Sequence, residues 1–447
     1  LFDPISTRPS EAVGWLRGYL RIDTTNPPGN ETPAARYLES ILRREGIECE
    51  VFEAAPGRGN LIARLPGRGG EPAIVLNSHI DVVAAGSEKW KRPPFAAAIL
   101  GGRIYGRGAI DVKGPGMVHL AAFVELKRSG IPLDRDVVLT MTADEENGGH
   151  LGVEALLERR PELFRNVGAV LGEGGGNDVV VDKVQLWKIE IAQKRPLWLR
   201  LTARGLAGHG AVPEPGTPSH RLLRGLAALL EWKPEPKVSD LLDSTLRLQS
   251  RAKLGRKREV LADIRKALRT NPQEIRTLFG EGLPALFVPT VAIGRFHGSS
   301  NTNVLPAVAT ADVDLRIRPD DDATAILAEV KRILAPHQLE LEILESAPPV
   351  PATKTDGEIY RRMVAFLERE EPGSVAAPMI QQGFSDGRHF RARGIPVYGF
   401  LPLKVNYYDL YGIHGVDEKI RADFFDEGVR RMTRLLSELA GRGERRK

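Results

Sequence analysis

Three apolar runs, each ending in a turn that carries histidine or carboxylate side chains, constrain this chain more than any other feature. Residues 73–76 (Ala-Ile-Val-Leu) lead into Asn77-Ser78-His79-Ile80-Asp81, residues 137–143 into Asp144-Glu145-Glu146, and residues 168–171 into Gly172-Glu173. Short, almost wholly apolar runs suit strands buried on both faces. Helical spacing of apolar residues over 116–129 and 153–160 supplies the crossovers between them. The alternation predicts an α/β fold with a mainly parallel sheet covered by helices. In open sheets of this kind ligands bind beyond the carboxyl ends of the strands, so His79, Asp111, Glu145, Glu146 and Glu173 are expected to converge.

Past Arg195 the pattern changes to half-exposed alternation. Residues 197–203, 288–296, 309–317 and 339–344 read as strands, and 219–232 and 323–334 as helices. This is a β-α-β-β-α-β order, which predicts an inserted ferredoxin-like α+β domain, interrupted by a Pro-rich, basic helical insertion at 233–284. A chain of 447 residues exceeds the usual size of a single core. The expected organisation is a catalytic metal-binding domain at 1–195, the inserted domain at 196–348, and a return to the catalytic domain at 349–447, with helices at 358–369 and 424–441.

Composition narrows the partners. The formal charge of +5 is concentrated in residues 251–269 and the tail 442–447, which read as a solvated helix face and a solvated end, so no nucleic-acid partner is expected. No apolar run reaches the length that spans a bilayer. The single cysteine, Cys49, excludes an internal disulfide, and its place in an alternating strand predicts a buried small hydrophobe. The cytoplasm is the favoured compartment, with a removed leader left open.

Residues two apart on a strand face the same way. Asp81 can therefore accept the imidazole N–H of His79 and leave the other ring nitrogen for a metal. Histidine and carboxylate ligands without cysteine suit zinc, cobalt or manganese. Glu145 and Glu146 are adjacent, and on an extended backbone they would face opposite ways, one toward a metal and the other toward a reacting water. His119, His150, His220, His297, His337 and His389 carry no motif.

Further motifs follow in order: Gly106-Arg-Gly-Ala-Ile-Asp111-Val-Lys113-Gly, Ala207-Gly-His209-Gly, Asn303-Val-Leu-Pro306, Gly383-Phe-Ser-Asp386-Gly-Arg388 and Ile413-His414-Gly-Val-Asp417-Glu418. Together with those above, they resemble the dinuclear-zinc metallopeptidase family of aminoacylase, acetylornithine deacetylase, succinyl-diaminopimelate desuccinylase and the glutamate carboxypeptidases, over nearly the whole chain. The resemblance implies two zinc ions per subunit, or cobalt or manganese. Asp111 would bridge them, with His79 and Glu173 completing one site and Glu146 and His414 the other. Glu145 becomes the general base and Asp81 the partner of His79. The family also has a cis peptide after the bridging aspartate. His209 would reach the active site of a partner subunit, which implies a homodimer and a dimerisation or lid role for the inserted domain. Arg388, Asn303 and, less directly, Arg316 match substrate-contacting positions. The implied substrate is an N-acyl amino acid, with a dipeptidase or carboxypeptidase on the same site as the alternative. A catalytically inactive metal-binding dimeric scaffold is the non-enzymatic rival. Glu173 stands where many relatives carry aspartate.

Overall fold

The structure is a computed structural model and describes residues 10–441. The basic tail at 442–447 lies outside the described residues. Contacts divide the chain into two units. The first takes the described residues up to Ile191, Ala352–Met379 and those from Ser385 onward; the second takes Ala192–Pro351 and Ile380–Phe384.

The first unit is built on the strand Ala73–His79, in which every residue is buried. It pairs in parallel with Val137–Thr142 on one side and Val167–Gly172 on the other, and Val397–Gly399 extends the parallel part beside Val167–Gly172. Both flanks are antiparallel: Gly59–Leu65 and Cys49–Glu53 on one side, Lys183–Gln193 and its hairpin partner Gly176–Val180 on the other. The sheet is therefore mixed, with a parallel centre, as the strand–helix alternation implies for that part alone.

The central runs are apolar because both faces are covered. Val75, Val138 and Val170 pack with Val153, Leu156 and Phe390 on one face. On the other lies the helix Lys113–Ser129, backed by Ala422–Ala440. Burying a side chain of Leu or Phe size contributes roughly 1.5–3 kcal/mol, and Leu120 and Phe123 are fully buried there. Lys113–Ser129 starts three residues before the predicted 116 because Pro115, which lacks an N–H, is tolerated in a first turn. Gly114 in that turn has no alternative, since a Cβ would collide with the carbonyl of Ala109. Cys49 is half-buried rather than buried, because its strand is the outermost of the sheet.

The second unit contains a four-stranded antiparallel sheet in the order Thr290–His297, Val308–Ile317, Arg195–Arg204, Glu340–Ser346. The helices Pro218–Leu230 and Ala323–Leu334 give the β-α-β-β-α-β order. Strand alternation sends Leu197, Leu199 and Leu201 into one core with Val313, Leu315, Leu222 and Val330. Arg200 is on the opposite face, where its Nε donates to Asp312 at 2.7 Å. The insertion folds as four short helices, Asp240–Gln249, Gly255–Ala262, Ile264–Thr270 and Pro272–Phe279, three of them capped by Ser239, Asp263 and Asn271. Among the described residues no helix is long and apolar enough to cross a membrane.

Candidate metal centre

His79 is the last residue of its strand. Its Nδ1 bonds the carbonyl of Asp81 at 3.0 Å, and the Asp81 carboxylate lies at 3.5 Å. The ring is thus fixed by the main chain of Asp81 more closely than by its side chain. The Asp81 carboxylate instead accepts the N–H groups of Glu145 and Glu146, both at 3.1 Å, and an amide N–H of Asn26 at 2.9 Å.

The backbone at the glutamate pair is not extended. Asp144 has a φ of 73°, and Glu145–Asn147 form a 3-10 turn. Adjacent side chains that would diverge on a strand are both delivered to the centre by that turn: Glu145 Oε2 is 3.8 Å from His79 Nε2, and Glu146 Oε2 is 3.4 Å from His414 Nε2. Glu173, directly after its strand, places Oε2 3.7 Å from His79 Nε2. The Asp111–Val112 peptide is cis. Asp111 has Oδ1 3.4 Å from His79 Nε2 and Oδ2 3.2 Å from His414 Nε2, so one carboxylate faces two imidazoles.

Charge is unbalanced here. Burial raises the carboxyls of Glu145 and Glu173 well above their usual range, reinforced by the negative charges around them, and burial with Asp111 raises Glu146. Hydrogen bonding of its ring N–H to the carboxylates of Asp111 and Glu146 lifts His414 to about 10. Burial would lower His79, but Asp111, Asp81, Glu145 and Glu173 together hold it well above its ordinary value. Among the described residues His79 Nε2, Glu145 Oε1, Glu146 Oε1 and Glu173 Oε2 are buried without a hydrogen-bond partner. Buried polar atoms left this way are costly. Four carboxylates and two imidazoles with orphaned ligand atoms fit cations. Two overlapping sets, His79 with Glu145 and Glu173, and His79 with Asp111 and Glu146, each bring their ligand atoms within 4.8 Å of one another.

Around this cluster is a support layer in which sequence reasoning missed Asn26, Glu31 and Arg58, and in which Arg388, expected to contact substrate, holds main chain. Arg58 donates to Glu31 at 2.7 and 2.8 Å and to Asp144 at 2.8 Å. Asn26 joins Asp144 to Asp81. Asp386, pushed up to about 7 chiefly by burial, accepts from the Thr142 hydroxyl at 2.9 Å. Arg388 and His389 both hold the carbonyl of Gly148, at 2.8 and 2.9 Å, just beyond the glutamate turn. Asn26, Arg58 and Glu31 form no spaced pattern with the motifs, so only contact in space identifies them.

The remaining predicted residues lie in the second unit. His209 is exposed and pairs across a two-residue ladder with Val304; the neighbouring Asn303 accepts the N–H of Gly210 through its carbonyl at 2.7 Å. Arg316 is gripped by both carboxylate oxygens of Asp314, at 2.6 and 2.9 Å, and lies over the ring of Phe384.

The model of peptidase family M20/M25/M40 matches residues 75–438. Aminoacylase-1 of Mus musculus is 29% identical over 442 residues, covering 98% of this chain and 97% of its own. Among solved structures, an M20 family metallo-carboxypeptidase of Sulfolobus solfataricus superposes with a TM-score of 0.74 at 20% identity, over 96% of this chain and 98% of its own. Human carnosine dipeptidase 1 superposes equally well, at 0.74 and 16% identity, over 96% of each chain.

Proposed function

The chain belongs to peptidase family M20/M25/M40, and from that premise we propose that it hydrolyses the amide bond of N-acyl amino acids with two divalent cations, zinc by preference. The observation that carries the proposal is the Asp111 carboxylate standing between the imidazoles of His79 and His414. In this reading His79, Glu173 and Asp111 would hold one cation, and Glu146, His414 and Asp111 the other. The nitrogen and oxygen donors suit zinc, with cobalt and manganese as substitutes. When bound, the cations supply Lewis acidity to a water and to the scissile carbonyl.

Glu145 does the proton work. Its carboxyl is buried and raised, which suits a group that takes a proton from water and returns it to the leaving amine. Its backbone N–H is held by Asp81, so the side chain leaves from a fixed turn. Arg388 and Asn303 orient the carboxylate of the amino-acid product, with Arg316 an auxiliary contact, and His209 of a partner subunit donates to the oxyanion in a homodimer. Thr290–His297, an edge strand of its sheet among the described residues, and its exposed Ile293 and Phe296 are the kind of surface a second copy covers.

The same groups act on the amide of a dipeptide, which is the second reading. Hydrolysis of N-acetyl amino acids and of dipeptides by the zinc-loaded chain separates them: faster turnover of the acetylated series supports the proposal. Turnover of dipeptides alone overturns it in favour of a peptidase.

A further inference from the structure

Glu418 closes the last motif, four residues after His414, yet nothing in the reaction above uses it. Its carboxylate is fully buried. Oε1 accepts the backbone N–H groups of Ile110 at 2.7 Å and Asp111 at 2.9 Å. Oε2 accepts the backbone N–H of Gly108 and the Nη1 of Arg107, both at 2.8 Å. The main chain adds a further link, because the carbonyl of Glu418 accepts the N–H of Gly106 at 3.0 Å. One side chain therefore gathers the segment that ends in Asp111.

The same residue anchors the loop of His414. Arg107, bound to Glu418, turns its Nη2 to the carbonyl of Gly415 at 2.7 Å and its Nη1 toward that of Gly412 at 3.4 Å. Gly412 is packed so closely on Glu418 that a Cβ there would lie 2.7 Å from the Glu418 Cα. His414 and Asp417 hold φ values of 56° and 58°, in the left-handed region that non-glycine residues visit uncommonly, Asp and His more readily than most. The Asp417 carboxylate accepts the N–H of Lys91 at 2.7 Å, and Lys419–Arg421 pairs with Arg103–Tyr105.

We propose that Glu418 is a positioning residue that sets the aim of Asp111 relative to His414, and with it the fit of the centre to its cations. This rests on the metal reading above. A carboxylate that accepts four N–H groups has little freedom. The peptide N–H it holds belongs to Asp111, so any shift of Glu418 passes directly to that side chain. Arg107 carries the constraint to the turn that presents His414. Groups acting behind a ligand commonly change metal affinity by about 10–100-fold when removed.

The test uses the full chain and zinc alone as the probe, with a chelating indicator in competition. Glu418→Gln keeps the shape but turns an N–H₂ toward donors that need an acceptor; Glu418→Asp keeps the charge and withdraws it by one methylene. Expected for both, in chains with a wild-type circular dichroism spectrum, is a zinc dissociation constant raised by about 10–100-fold. The turnover number should fall while KM stays near wild type. Arg421→Ala, at the far end of the strand that follows Glu418, should leave the zinc isotherm unchanged. Folded Glu418 variants with a wild-type isotherm would overturn the inference, and so would failure of both variants to fold, which assigns Glu418 to stability alone. A wild-type chain that takes up no zinc would instead overturn the proposed function.

Discussion

Nε2 of His414 and Oε2 of Glu146 lie 3.4 Å apart, one on a loop late in the chain and the other in a turn after the strand Val137–Thr142. His79 and Glu173 form the matching pair at 3.7 Å, and Asp111 touches both imidazoles. One carboxylate therefore links two imidazole–glutamate pairs, and the proposed function makes them two half-sites that substitution should separate.

On the proposed reading, His414→Ala removes a ligand from one half-site only. Metal analysis after dialysis should fall from about two ions per chain toward one, with the circular dichroism spectrum retained. Asp111→Asn, which touches both halves, should lose both ions. Equal losses in the two variants would remove the half-site description.

Glu145→Gln should keep the metal content and lower the turnover number by about 10²–10⁴-fold, the usual contribution of a positioned general base. The steady-state rate on an N-acetyl amino acid, measured beside metal content in one preparation, checks it. A folded, metal-loaded variant with wild-type rate would reassign the base.

Stability should decline in mild acid because of His119. The ring is buried behind the centre, with Nδ1 2.9 Å from the Ser78 hydroxyl, and burial lowers it to about 4 from an ordinary 6.5. The unfolded chain takes up the proton first. Stability is therefore full above pH 6.5 and is lost as pH falls toward 4, by roughly 3 kcal/mol at about 1.4 kcal/mol per tenfold change. Urea midpoints for wild type and His119→Asn should differ in slope over that interval; parallel curves would show that His119 does not titrate this way.

Arg391 and Glu190 form a buried ion pair, Nη2 to Oε2 at 2.7 Å, with side chains 2% and 1% exposed. Arg391 also donates to the Thr353 hydroxyl and the Val397 carbonyl, both at 3.0 Å. Arg391→Met leaves Glu190 charged and without that partner, and should cost about 3–5 kcal/mol in urea unfolding. Arg391→Met with Glu190→Leu should recover much of the loss.

The parallel centre of the sheet was legible because its strands are buried on both faces and hence apolar throughout. Lys183–Gln193 was not, because Glu190 and Gln193 interrupt its apolar residues, and those polar groups are buried only by virtue of partners such as Arg391. Val375–Gln381 was missed for a related reason, since Pro378 argues against a strand until the strand is seen at the end of the sheet. The second unit was legible as β-α-β-β-α-β from alternation alone, although the short segment Ile380–Phe384, which packs with it, carries no such mark.

Within the centre, the side chains that meet were recognisable as motifs, whereas their geometry was not. Adjacency of Glu145 and Glu146 implied opposed side chains, and the turn that reunites them depends on Asp144, held by Arg58, Asn26 and the N–H of Leu151. Arg388 and His389 were separated from Gly148 by most of the chain, so their common hold on its carbonyl could not be anticipated.

The left-handed Asp144 has a consequence for how such chains are recognised. Two proteins could share every ligand and the base, letter for letter, and still differ in whether those groups assemble, because the bend that gathers the glutamates is maintained by Arg58 and Asn26, outside any motif. An inventory of signature residues would count both alike, whereas positions 26 and 58 bear on whether the glutamates are gathered at all.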